Sequence, residues 1–129
     1  MKFHHIGIAT KDISKTLVYI KSVYDDIANI TEIIYDDLQQ ASLCMVTLKD
    51  GTKIELVSGS QVSTYVKKRI QLYHTCWEVD DINKYIEKHV QEGSILISEL
   101  KEAILFNNRK VAFLYSELGI IELLEKGIY

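Results

Sequence analysis

Two kinds of apolar periodicity alternate along this chain, and they run through the same order twice. From Phe3 to Thr10 the pattern is that of a strand, and from about Ile13 to Asp26 the apolar residues Ile13, Leu17, Ile20 and Tyr24 share one helical face behind Asp12, a capping residue type. Ile30 to Tyr35, Ala41 to Leu48 and Thr52 to Val57 then read as three strands, the last two joined by Lys49-Asp50-Gly51, whose Asp-Gly step signals a hairpin. Val62 to Ile70 has the spacing of a short linking helix, with Lys67, Lys68 and Arg69 on its solvated side. After it the order begins again. Tyr73 to Val79 is a strand, and Asp80 or Asp81 caps a helix carrying Ile82, Ile86 and Val90 that Gly93 closes. Ile95 to Ser98, an irregular loop through Asn107-Asn108, and the hairpin of Lys110 to Tyr115 with Gly119 to Leu124 complete the second half. Each half is a βαβββ module.

The residues repeat along with the periods. His5-Ile6-Gly7-Ile8-Ala9-Thr10-Lys11-Asp12-Ile13 returns as His74-Thr75-Cys76-Trp77-Glu78-Val79-Asp80-Asp81-Ile82, and each copy is followed by an apolar strand with one embedded glutamate, Glu55 or Glu122. The histidines lie 69 residues apart and the glutamates 67. At 129 residues the chain is the size of one domain, so the two modules are expected to share a sheet. We take module one as about 1–60, the linker helix as about 61–71 and module two as about 72–129 of a single domain, 1–129.

Strand geometry gives these repeats chemical meaning, because alternate side chains point to opposite faces. His5 shares a face with the small residues Gly7 and Ala9, as suits a strand lining a cavity, while Ile6 and Ile8 face the other way toward helices. In the second copy His74 is in phase with Cys76 and Glu78. Glu55 and Glu122 each sit opposite a flanking hydrophobic pair and so point to the inner side. A buried carboxylate must pair, take up a proton or coordinate a metal. Two imidazoles and two carboxylates make a mixed N/O site suited to a divalent metal ion, Zn, Ni, Co, Mn or Fe. The bland alternative is a hydrogen-bonded structural histidine with Glu55 paired to Lys53, and the repetition in register favours the metal. His4 and His89 read as surface or helix-packing residues, and Cys76 and Glu78 as lining. The polar turn Asn107-Asn108-Arg109-Lys110 is either a plain β-loop or a means of presenting Arg109 to a carboxylate or phosphate.

Composition narrows the function classes. Lys+Arg 15 against Asp+Glu 18 leaves a net charge of −3, with none of the basic excess expected for nucleic acid or an anionic membrane surface. No uninterrupted apolar run reaches the roughly 18 residues that span a bilayer, and a cytoplasmic protein is expected. Cys44 and Cys76 stand alone in apolar strands without a CxxC spacing and read as buried free thiols.

On the stretches HHIGIATKDI, GTKIELVS, YHTCWEVDDI and KVAFLYSELGIIELLE, the chain resembles the vicinal oxygen chelate superfamily, the glyoxalase, bleomycin resistance and methylmalonyl-CoA epimerase group, over nearly its whole length. The fold expected from the module count and the resemblance together is α+β: two βαβββ modules forming one cupped, mostly antiparallel eight-stranded sheet with helices on the outer face. The resemblance implies metal ligands at His5, Glu55, His74 and Glu122. It implies a metal-dependent epimerase or lyase that stabilises an enolate or enediolate of a small thioester or hemithioacetal, with Glu122, Glu55 or Asp37 as the base. Asp37 is the nearest match, within Tyr35–Ala41, to the acid that epimerases of this kind carry before the third strand, although the usual Gly there is missing. Phe106-Asn107-Asn108-Arg109-Lys110 replaces a Gly-containing segment and makes Asn107 and Arg109 the candidates for substrate binding. The alternative is a non-catalytic, resistance-type protein that binds a small molecule on the same fold. The expected partners are a small-molecule substrate and a second copy in a homodimer, with neither nucleic acid nor membrane.

Overall fold

The computed structural model describes residues 1–127, so positions 128 and 129, the end of the second module, lie outside the described residues. The chain divides into two compact units, His5–Tyr73 and Met1–His4 together with the chain from His74 onward. Ten strands and three α-helices are present among the described residues. The architecture is mixed α+β.

The His5–Tyr73 unit is built on β1 (Lys2–Ala9), α1 (Ile13–Val23), β2 (Ile27–Ile30), β3 (Ile34–Asp36), β4 (Ala41–Leu48) and β5 (Lys53–Ser58), followed by a 3-10 turn, Ser60–Val62, and α2 (Ser63–Lys67). The strand order is β2-β4-β5-β1 with β3 also on β4. The β1/β5 pair is parallel, and the β4 pairings are antiparallel. At the β4–β5 turn Gly51 takes a left-handed φ of +92°, and the Thr52 N–H donates to Asp50 Oδ1 at 2.9 Å. The Thr52 backbone and hydroxyl hold the Asp50 carboxyl below the usual carboxylate range. Asp12 caps α1 by accepting from the Lys15 N–H at 3.2 Å. The helix buries Ile13 and Ile20, with Leu17 partly covered, against Ile8, Cys44, Val46 and Leu56. It stops at Val23, short of Asp26, because Tyr24 turns extended (φ −97°, ψ 118°), and that ring is left exposed rather than on the packed face.

The strand expected over Ile30 to Tyr35 is two short strands. Between them Thr31 still donates its N–H to Met45 O at 3.0 Å, but its carbonyl leaves the ladder. Its hydroxyl accepts from the Met45 N–H at 2.9 Å, and its carbonyl accepts from Cys44 Sγ at 3.3 Å. Burial pushes the Cys44 thiol up from its ordinary pKa, against smaller opposing effects of Thr31 and Lys21. The linking helix is also shorter than its spacing suggests. The Arg69 N–H returns to Val66 O at 3.1 Å and the Ile70 N–H to Tyr65 O at 2.9 Å, a Schellman closure that sets Arg69 at φ +56°. A side chain in that left-handed region costs about 1–2 kcal/mol, which glycine avoids.

The second unit carries β6 (Leu72–Val79), α3 (Ile82–Gln91), β7 (Ile95–Leu96), β8 (Lys101–Ala103), a 3-10 turn, Ile104–Phe106, β9 (Arg109–Ser116) and β10 (Gly119–Glu125). The order is β6-β10-β9-β7 with β8 also on β9. The β6/β10 pair is parallel and the β9 pairings antiparallel. Of the two aspartates before α3, Asp81 is the cap, accepting from the Lys84 N–H at 3.1 Å. Ile82 is buried and Ile86 and Tyr85 are partly buried against Val79, Ala112, Leu114, Ile121 and Leu123, whereas Val90 is exposed. The helix ends in the same Schellman closure, Gly93 N–H to Val90 O at 3.1 Å and Ser94 N–H to His89 O at 2.9 Å, here with glycine at the left-handed position. Phe3 and His4 belong to this unit, their rings meeting Trp77 at 5.1 Å and Phe106 at 5.4 Å.

Ten strands replace the expected eight for one reason. In each module the second strand of the βαβββ pattern is broken in two, β2 and β3 on β4 in one, β7 and β8 on β9 in the other. Both cysteines are free and buried, as expected. Among the described residues no helix is long and apolar enough to cross a membrane.

Equivalent caps should carry equivalent energy. Asp12→Ala and Asp81→Ala should each lower unfolding free energy by about 1 kcal/mol in urea titrations. A loss confined to one of them would break the correspondence between the modules.

Candidate metal centre

In each module the first strand and the last strand pair in parallel, and the register is the same. Gly7 stands opposite Glu55, and Cys76 stands opposite Glu122. The histidine in each case is two residues before that position, on the same face, so the carboxylate and the imidazole converge. His5 Nε2 lies 3.6 Å from Glu55 Oε1 in the His5–Tyr73 unit, and His74 Nε2 lies 3.1 Å from Glu122 Oε1 in the other. All four residues are at most 3% exposed. On the antiparallel side Met45 faces Glu55 and Phe113 faces Glu122. Phe113 also meets the His74 ring edge-on at 5.4 Å and 88°, which fixes the plane of the imidazole.

These distances have a physical requirement. An imidazole lone pair and a carboxylate oxygen repel unless a proton or a metal cation lies between them, and burial removes the water that would soften the repulsion. Two donors each about 2.1 Å from a common ion at tetrahedral or octahedral angles stand roughly 3.0–3.4 Å apart. The His74–Glu122 separation of 3.1 Å lies within that range, and the His5–Glu55 separation of 3.6 Å lies slightly above it. His5, Glu55, His74 and Glu122 are all ligand-competent, and their nitrogen and oxygen donors fit a divalent transition ion better than a thiolate-seeking one.

The remaining site residues expected from sequence are Asp37, Asn107 and Arg109. Asp37 is exposed, in the turn after β3. The buried carboxylate of that turn is its neighbour Asp36, which accepts from the Leu38 N–H at 3.0 Å, the Gln39 N–H at 3.3 Å and Gln39 Nε2 at 3.0 Å. That bonding makes Asp36 the anchor of the turn, and its sequence signal is an Asx-turn aspartate in phase with Ile34. Asn107 is exposed at φ +57°, closing the 3-10 turn. Arg109 is held within its own module. Its NH1 donates to Glu78 Oε2 at 2.9 Å and to Glu125 O at 3.4 Å, and its Nε donates to Phe106 O at 3.2 Å. Sequence reading missed Glu78 as its partner because 31 residues separate the two.

Comparison with known proteins adds to this geometry. The family model described as the glyoxalase/bleomycin resistance protein/dioxygenase superfamily matches residues 4–113. A comparison with curated proteins gives no match. Among solved structures, a hypothetical protein from Bacillus halodurans C-125 is similar at 25% identity, covering 99% of this chain and 96% of its own, with a TM-score of 0.77. Methylmalonyl-CoA epimerase from Mycobacterium tuberculosis is 17% identical over 98% of this chain and 89% of its own, with a TM-score of 0.82. A variant of Streptomyces coelicolor methylmalonyl-CoA epimerase in complex with 2-nitronate-propionyl-CoA is 15% identical over 99% of both chains, with a TM-score of 0.76. At these identities the likeness to the epimerases is one of fold. The family match runs from the first histidine strand into β9, over most of the chain, and the chain therefore belongs to the glyoxalase/bleomycin resistance protein/dioxygenase group of the vicinal oxygen chelate superfamily.

Proposed function

We propose that the two His/Glu pairs serve one divalent ion, with His5, Glu55, His74 and Glu122 as its protein ligands, in an epimerase or lyase acting on a small thioester or hemithioacetal. The observation that carries the reading is the repeated register: each module buries one histidine against one glutamate at the same place in the same parallel strand pair. Family membership supports it. Zn, Ni, Co, Mn and Fe all suit such donors. When bound, the ion would act as a Lewis acid toward a substrate carbonyl oxygen and lower the energy of the negative charge that develops there.

The chain's own groups then handle the proton. Glu122 or Glu55 takes the hydrogen from the carbon beside the carbonyl, the C–H electron pair moves into the carbonyl as an enolate, and the carboxylate becomes a carboxylic acid. Delivery of a proton to the opposite face of the same carbon by a second acid, the other glutamate or Asp37, completes an epimerisation, and return of the abstracted proton by the same carboxylate to the neighbouring carbon of a hemithioacetal gives the glyoxalase outcome. Gly7 opposite Glu55 keeps side-chain bulk away from that carboxylate. Asp37 enters as a third acid by its place in the resembled segment. Epimerisation comes first because two of the similar folds are methylmalonyl-CoA epimerases, and an acyl-CoA with an acidic α-hydrogen is the first substrate to try.

Purified protein loaded with Co, Ni, Mn or Zn should retain close to one ion per chain by elemental analysis, and His5→Ala and Glu122→Ala should each lose it. Loaded protein in deuterium oxide should exchange the α-hydrogen of methylmalonyl-CoA. No ion under any loading overturns the metal site, and retained metal without exchange on acyl-CoA or glutathione adducts leaves the binding-only alternative.

Arg109 separates substrate contact from scaffold. Its hydrogen bonds to Glu78, Phe106 and Glu125 lead us to expect that Arg109→Met lowers unfolding free energy by about 2 kcal/mol while the metal content of the loaded protein is unchanged. Unaltered stability with weakened substrate binding would assign the guanidinium to the substrate.

A further inference from the structure

The His5–Tyr73 unit has an open cleft of about 470 Å³ beyond the end of β1, where α1 and α2 approach each other. None of the four histidine and glutamate residues lines it. Its walls carry the cations Lys11 and Arg69, the aromatic rings of Tyr19 and Tyr65, and the hydroxyls of Thr10 and Thr16, which meet at 2.7 Å. A second recess of about 310 Å³ shares Thr10, Lys11 and Thr16 with it and adds Lys15 and Asp12. Asp12, the one acid of this surface, is engaged as the α1 cap.

Two features separate this cleft from an ordinary solvated face. The first is backbone strain. α2 and α3 close with the same hydrogen-bond motif, and at the left-handed position α3 has Gly93 whereas α2 has Arg69. A glycine would suit the α2 position at no steric cost, and the residue there instead brings a guanidinium-bearing side chain to the cleft. The second is the charge inventory. Among the described residues neither Lys11 nor Arg69 makes an ion pair, in contrast to Arg109, which is bound to Glu78. The aromatic part is equally specific. Tyr19 is 61% exposed, and the Tyr65 ring is steadied by an edge contact with Tyr73 at 5.0 Å.

We propose that this cleft binds a nucleoside diphosphate, its phosphates against Arg69 and Lys11 and its base against Tyr65 and Tyr19. A planar guanidinium is suited to paired phosphate oxygens, and a tyrosine face stacks on a base of any identity. The volume lies within the range of small-molecule sites. The proposal is independent of the metal-site reading, because every lining residue lies outside the two His/Glu pairs.

Calorimetric titration of the intact protein with ADP, adenosine and inorganic diphosphate tests it. ADP should saturate one site and bind about tenfold more weakly to each of Arg69→Gly, Lys11→Ala and Tyr65→Leu. Arg69→Gly should melt no lower than the unaltered protein, because it relieves the left-handed strain, so its loss of binding is not a loss of folding. Absence of saturable ADP binding overturns the proposal, as does affinity unchanged in both Arg69→Gly and Lys11→Ala. Diphosphate binding as tightly as ADP would remove the aromatic half, and adenosine binding as tightly as ADP would remove the anionic half.

Discussion

Parallel pairing of the first strand of each module with its last is the constraint on which the rest depends. A parallel pair fixes the offset between strands, and a slip by one residue would turn every side chain of one strand to the other face. Here a slip of β5 on β1 would drive Glu55 into the cluster of Ile13, Ile20 and Leu56, a place where a carboxylate has no compensation. The hydrophobic face therefore enforces the register, and the register brings His5 to Glu55 and His74 to Glu122. Stability of the helix-facing side and chemistry of the inner side are two consequences of one alignment.

The signals that read correctly from sequence are those set within a few residues. Strand phase placed His5 with Gly7 and Ala9, and their burial alternates with Ile6 and Ile8 as the period of two requires. Asp12 and the Asp80-Asp81 pair announced helix starts, and Gly93 announced an end. What escaped was decided by partners distant in sequence. Nothing local says that the Thr31 hydroxyl replaces its carbonyl as acceptor for the Met45 N–H, or that Arg109 finds Glu78. Tyr24 continues the helical period of α1, yet its backbone is extended at the end of the helix. Asp36 and Asp37 are chemically identical neighbours, and only the fold of the turn buries one and exposes the other.

The broken second strand of each module illustrates how duplication persists without sequence identity. β2 and β3 share no residue pattern with β7 and β8, yet each couple lies antiparallel on one strand of the following hairpin. The template for both is the exposed edge of a hairpin strand, β4 or β9, which presents backbone donors and acceptors along its length. Short segments suffice to cover such an edge, so the intervening residues are free to diverge. The glutamate strands β5 and β10, each paired on both sides, lack that freedom.

Most positions in this chain satisfy the local rules of capping, turn chemistry and patterning together, which makes the exceptions informative. Glu55 and Glu122 are carboxylates buried beside imidazole nitrogens, and Arg69 is a long charged side chain where the backbone favours glycine. The exceptions differ in kind. At the glutamates the term is electrostatic and is relieved by a proton or a cation between the donors. At Arg69 the term is steric and remains whether or not a ligand binds, so it is offset only by packing elsewhere in the unit. A metal ion held at the glutamates would therefore stabilise the fold, whereas the strain at Arg69 is the same with and without an anion and adds nothing to its affinity.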